Sequence, residues 1–269
     1  MSYLEGLATE VPFRKALKVN EYMYEALVYP CTKLPKYVML MIPGNPGAIS
    51  FYREFLNDLH RKNEDQLEII GVSLQGHSIY EDELGQQVVP SEVVSLNAQI
   101  ERIKLLYTNI VQQYSKVGQI QEKPKFIICG HSVGSYICEQ VFKENKSSVY
   151  RVMYLFPTVM EIAKSPNVGI IRFLFGPSAL TSMISIRESS MPQHLRNMFA
   201  YKSLSYSTVS NFLNMAREEM TTINELDQKV YTEHGEKFFM YYGSCDKWVP
   251  HSQYQHMKQT NSTSNTITH

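Results

Sequence analysis

The sequence has no surplus of either charge: 26 Lys and Arg stand against 26 Asp and Glu. Such a balance supplies no field to hold a phosphate backbone, so nucleic acid is not an expected partner. Cysteine is scarce and scattered. Cys31, Cys129, Cys138 and Cys245 form no Cys-x-x-Cys pair; metal-site spacing is missing, no metal is expected, and a reducing, cytosol-facing setting follows. No apolar run approaches the roughly 18 residues of a membrane span, so no transmembrane segment is predicted. Met1-Ser2-Tyr3-Leu4-Glu5-Gly6 has neither a basic n-region nor an apolar h-region, so no signal peptide is expected. Repeats are absent, and nothing calls for a cofactor.

What remains is a chain of 269 residues, a length that one large core can fill as a single domain. Leu17 to Tyr29 reads as one or two opening strands. Tyr37 to Ile42 and Leu67 to Val72 are apolar runs of the kind covered on both faces. Ser50 is placed as the cap of a helix that buries Phe51, Phe55, Leu56 and Leu59. Ser95 to Val117 carries an apolar stripe at helical spacing, through Leu96, Ile100, Ile103, Tyr107, Ile110 and Tyr114. Strands at Lys125 to Cys129, Val149 to Phe156 and Phe238 to Gly243 complete an alternating pattern. That pattern predicts a mostly parallel central sheet with helices on both faces. From Pro157 to about Val230 the rhythm breaks, which marks a helical cap or lid insertion over about 158–230.

Cys129-Gly130-His131-Ser132-Val133-Gly134 lies at a strand-to-helix junction. Gly-x-Ser-x-Gly there is the nucleophile-elbow pattern. An immediate turn from strand to helix strains the serine backbone and crowds the positions two residues either side, hence the glycines. Ser132 would stand at a helix N-terminus, where amide N–H groups can meet an oxyanion. A glycine-hinged turn whose serine merely caps the helix would use the same residues.

Pro43-Gly44-Asn45-Pro46-Gly47 follows the third strand, where α/β-hydrolases keep a second oxyanion-hole N–H. Pro46 has none, so Asn45 is the candidate donor, paired with Val133. Gln75-Gly76-His77-Ser78 lacks the second glycine and a following helix; Ser78 is a poor nucleophile and His77 a cleft or loop residue. Asp246, past the last clear strand, is the candidate triad acid in the order Ser…Asp…His, with capping of the helix near Pro250 as the plainer reading. A histidine should follow on a further strand. His251 and His256 fall on a helix from Val249 to about Gln259, and 260–269 reads as a polar low-complexity tail. The C-terminal strand and helix are therefore expected to be missing. His269, behind Thr266-Ile267-Thr268, is a weak candidate, and the triad histidine stays unassigned.

Four segments together resemble the lipid droplet-associated hydrolase family, over roughly Leu17 to Lys258. They are Pro43 to Gly47, Gly130 to Gly134, Tyr154-Leu155-Phe156-Pro157-Thr158 and Tyr241-Tyr242-Gly243-Ser244-Cys245-Asp246-Lys247-Trp248. The resemblance implies an α/β-hydrolase serine esterase of lipid droplets and the endoplasmic reticulum, on their cytosolic face, with a lipid ester, sterol esters being proposed, as substrate. The family's serine and aspartate carry over to Ser132 and Asp246. Its histidine, in a Pro-His-Ala-Phe-like segment, has no match. Its apolar droplet-targeting segment corresponds to a shortened Val168–Ile186 region. A non-catalytic droplet-surface or partner-binding form of the same fold is the alternative.

Overall fold

The computed structural model describes residues 12–63, 65–82, 84–116, 123–167, 205–260 and 267–268. The chain opens with an antiparallel pair, β1 (Phe13–Val19) and β2 (Tyr22–Tyr29). Then follow β3 (Tyr37–Ile42), α1 (Arg53–Lys62), β4 (Leu67–Val72), a two-residue hairpin β5–β6 (Tyr80–Glu81, Gln87–Val88) and α2 (Leu96–Lys116). Next come β7 (Lys125–His131), α3 (Val133–Glu144), β8 (Val149–Leu155), α4 (Tyr206–Thr222) and α5 (Gln228–His234). Last are β9 (Phe238–Tyr241), α6 (His251–Thr260) and β10 (Ile267–Thr268). Eight strands form one sheet in the order β1-β2-β4-β3-β7-β8-β9-β10. From β4 to β10 every neighbouring pair is parallel. All parallel strands therefore end at one edge.

The alternation of side chains along β3 shows why its whole run is apolar. Val38, Leu40 and Ile42 enter a core shared with α2 and α3, while Met39 and Met41 enter a second core with Ile49 and Leu56. A strand roofed on both faces has no solvent side on which to put a polar residue. The α2 stripe is buried as its spacing predicts, from Leu96 through Tyr114.

Two expectations need correction. Ser50 lies inside a short 3-10 turn, Ile49–Tyr52, and caps nothing; of the expected face, Leu56 is sealed while Phe55 is 43% exposed. The C-terminal strand is also present, because Ile267 and Thr268 pair in parallel with Met240 and Tyr241. Two residues are too few to show periodicity, yet the open edge of β9 offers unpaired backbone groups that such a segment can satisfy. The tail is thus helix to Thr260 and strand at 267–268. Val168–Ile186 lies outside the described residues.

At the edge where strands end, α3 meets β3 backbone to backbone. A Cβ on Gly134 would lie 2.4 Å from the carbonyl oxygen of Ile42 and 2.6 Å from that of Pro43. Alanine favours a helix over glycine by about 1 kcal/mol, so propensity alone would make Gly134→Ala stabilising. The clash reverses the sign: we expect a loss of about 3 kcal/mol in urea unfolding. A stability equal to or above wild type would show that the close approach is not tight.

Candidate functional site

Strand β7 ends at His131 and α3 begins at Val133, so one residue makes the turn. Ser132 does so at φ 52°, ψ −123°, a left-handed region in which a non-glycine residue is strained. Neighbouring backbone holds it there. Its N–H donates to Leu155 O at 3.0 Å, and its carbonyl accepts from Ser135 N–H at 2.9 Å and Thr158 N–H at 3.2 Å. The elbow glycine has its expected reason, since a Cβ on Gly130 would sit 2.3 Å from the Gly134 oxygen. The Ser132 side chain makes no capping bond; its Oγ lies 3.2 Å from Thr158 Oγ1. The helix-capping reading of this serine is therefore not what the structure shows.

The loop after β3 can be accounted for amide by amide. Gly44 N–H donates to Tyr52 Oη at 2.9 Å, Pro46 has no N–H, and Gly47 N–H donates to His77 Nδ1 at 3.0 Å. That leaves the N–H of Asn45 without a partner among the described residues. Val133 opens α3, so its N–H has no acceptor inside the helix. Tyr52, already accepting from Gly44, spends its proton on His131 Nδ1 at 2.8 Å. Burial lowers the pKa of His131, with Asp246 pulling it partly back up. His77 is completely buried, and burial pushes its pKa down to about 3. It is a loop residue as expected, but a sealed one: a neutral post beneath the Pro-Gly turn, its ring tilted 44° to that of Phe212 at 5.4 Å.

Asp246 lies in the loop beyond β9. Its Oδ1 accepts from Trp248 N–H at 2.7 Å and Val249 N–H at 3.2 Å; both lie in the loop before α6 begins at His251, so Asp246 ties its own loop and does not cap the helix. Its Oδ2 takes no hydrogen bond among the described residues. Ser132, Asp246, Asn45 and His131 all line one cavity of about 670 Å³, walled by Phe156, Tyr241 and Trp248. His251 lies 2.8 Å from Gln255. His256 lines a separate cavity of about 620 Å³. His269 lies outside the described residues.

Sequence reasoning missed four members of this site. Thr158 directly follows Pro157, just past the end of β8, a polar residue at the carboxyl end of the strand beside Ser132; that position was its signal. Glu219 lies on the buried stripe of α4 with Phe212, Met215 and Ala216, where an acid is out of place. Tyr52 and His131 meet only through the fold, and no local pattern announces them.

The sheet order and the serine elbow define the α/β-hydrolase fold. The structure resembles an esterase from Exiguobacterium antarcticum with a TM-score of 0.62 at 12% identity, over 95% of this chain and 90% of that one. The model of the family described as lipid-droplet associated hydrolase matches residues 35–205 and 177–268, and the chain belongs to that family. It is 27% identical to the lipid droplet-associated hydrolase of Gallus gallus, over 84% of this chain and 74% of the relative. It is 28% identical to that of Dictyostelium discoideum, over 87% and 80%. The resemblance read from four short segments is thus borne out.

Removing the Tyr52 hydroxyl leaves Gly44 N–H and His131 Nδ1 unpaired in a buried place. Tyr52→Phe should cost about 1–3 kcal/mol in chemical denaturation. An unchanged midpoint would mean that the phenol does not hold the loop.

Proposed function

We propose that this protein is a serine ester hydrolase acting on lipid esters, sterol esters among them, at the surface of lipid droplets and on the cytosolic face of the endoplasmic reticulum. Ser132 attacks the ester carbonyl through Oγ, its proton passing to a histidine base that Asp246 orients. The N–H groups of Asn45 and Val133 receive the oxyanion of the tetrahedral intermediate. The alcohol leaves with the proton, and water then cleaves the acyl-enzyme to release the fatty acid and regenerate Ser132. The single observation that carries the reading is Ser132 held at φ 52° on the rim of the cavity that Asp246 also lines.

For the base we propose His269. It follows β10 in sequence, and the register that sets Thr268 beside Tyr241 brings the chain to the sheet edge from which the Asp246 loop departs. The chain order is then Ser132, Asp246, His269, as the fold requires. Residues 158–230 act in this reading as the cap over the acyl pocket, α4 supplying Ala216, Glu219 and Met220 to the cavity wall. The apolar 168–186 region is its contact with the droplet surface.

A fluorophosphonate probe should label the wild-type chain and not Ser132→Ala. Hydrolysis of short p-nitrophenyl esters should fall about 10⁶-fold in Ser132→Ala and comparably in His269→Ala, by analogy with serine protease triads. Equal signals from wild type and Ser132→Ala would end the enzyme reading and leave a droplet-surface binding protein. A normal Ser132→Ala loss with full activity in His269→Ala would discard only the base. Deleting 168–186 should release the protein from droplets on fractionation, and unchanged partition would discard that contact.

A further inference from the structure

Glu219 borders the cavity that holds Ser132, is only 6% exposed, and forms no ion pair among the described residues. Its partner is Asn45, whose Nδ2 donates to Oε1 at 3.1 Å. The second proton of Nδ2 goes to the carbonyl of Phe212 at 3.0 Å. Both neighbours of Nδ2 are acceptors, which decides which way the amide faces. Asn45 Oδ1 is then left buried with no donor.

That orphan atom indicates the protonation state of its neighbour. A carboxylate can only accept, whereas a carboxylic acid also has a hydroxyl to give. An acid and a primary amide are complementary at two points, N–H to C=O one way and O–H to C=O the other. Burial raises the Glu219 carboxyl to about 8, the Asn45 bond pulling against it. No charged neighbour enters that balance. Glu218 on the same helix turns to Leu96 N–H, Lys164 pairs with Glu161, and Arg102 with Glu92. His77 is neutral, and His131 and Asp246 border the same cavity.

We propose that Glu219 is a positioning residue that works as a neutral acid: paired at two points with the Asn45 side chain, it locks α4 onto the loop whose N–H receives the oxyanion, and it releases that loop on ionising. This rests on the esterase reading above, in which Asn45 supplies that N–H. The two protons of the Asn45 amide reach Glu219 and the Phe212 carbonyl, both on α4, so the lock ties the oxyanion loop to one helix.

The test is a comparison of wild type, Glu219→Gln and Glu219→Ala across pH with a p-nitrophenyl ester. Glutamine presents the same donor and acceptor as the neutral acid and cannot ionise. Wild-type kcat should fall on the alkaline side with a midpoint about 8, and Glu219→Gln should lack that fall. Glu219→Ala should lose about tenfold in kcat below the alkaline fall, with KM little changed, the mark of a contact felt in the transition state, and wild type should converge on it above that fall. Stability gives a second readout. The folded state keeps a proton that the unfolded state has released, so melting temperature should drop as pH rises from the ordinary glutamate range to about 8 and then level. Glu219→Gln should show no such slope. The same alkaline fall and slope in Glu219→Gln would overturn the proposal. If Ser132→Ala proves as active as wild type, the esterase reading fails instead, and the melting series still decides the clasp. Should Glu219→Gln not fold, carboxyl NMR of labelled glutamate in wild type settles it: a Glu219 signal already ionised near neutral pH would sink the clasp.

Discussion

Three stretches of backbone converge at the carboxyl edge of the sheet, and everything catalytic about this protein depends on their being allowed to touch. The end of β7 and the first turn of α3 meet each other and the end of β3 backbone to backbone, and the loop after β3 closes on the side chains of His131 and Ser132. A Cβ on Gly44 would lie 2.6 Å from His131 Nδ1 and 3.0 Å from Ser132 Cβ, and those on Gly130 and Gly134 would strike backbone oxygens. Such contact points tolerate no larger residue, and they place a strained serine against two helix and loop amides. The strain is carried by the sheet: Ser132 is tied to β8 through Leu155 and to the following loop through Thr158, so the cost of its φ is met by bonds that already exist.

This explains which parts were readable from sequence. Glycines forced by backbone contact, strands roofed on both faces and a long amphipathic helix are local consequences of the chain, and the elbow, β3 and α2 show them plainly. Glu219, Thr158 and His77 are legible only in part, because their roles depend on partners far along the chain: Asn45 is 174 residues from Glu219. His77 reads as a cleft or loop residue and lies in a loop; what its neighbours Gly76 and Ser78 do not announce is its complete burial, where Gly47 N–H takes it as acceptor. The two-residue β10 carries no periodic signal at all, and only the open edge of β9 gives it a place.

Most of the polar groups around Ser132 are already committed to one another. Tyr52 holds Gly44 and His131, His77 holds Gly47, and Thr158 lies beside the Ser132 hydroxyl. Burial keeps both histidines on the neutral side, so no positive charge competes with the substrate carbonyl for the loop amides. Among the described residues, the groups left over beside Ser132 include the amides of Asn45 and Val133 and one oxygen of Asp246.

That distribution separates two kinds of work. Donors aimed at a developing oxyanion act best when they need no rearrangement as charge appears, and the two proposed for that role, the N–H groups of Asn45 and Val133, belong to the close-packed junction where β3, β7 and α3 abut. The proposed acid needs only to hold an orientation, and Asp246 lies in the loop beyond β9. An intact oxyanion hole without its triad base still accelerates hydrolysis by about 10³ to 10⁴ over water, whereas a displaced hole leaves a base with nothing to assist. If Ser132 is the nucleophile as proposed, the close-packed glycine junction therefore protects the part of the machinery that must already be in place when charge appears.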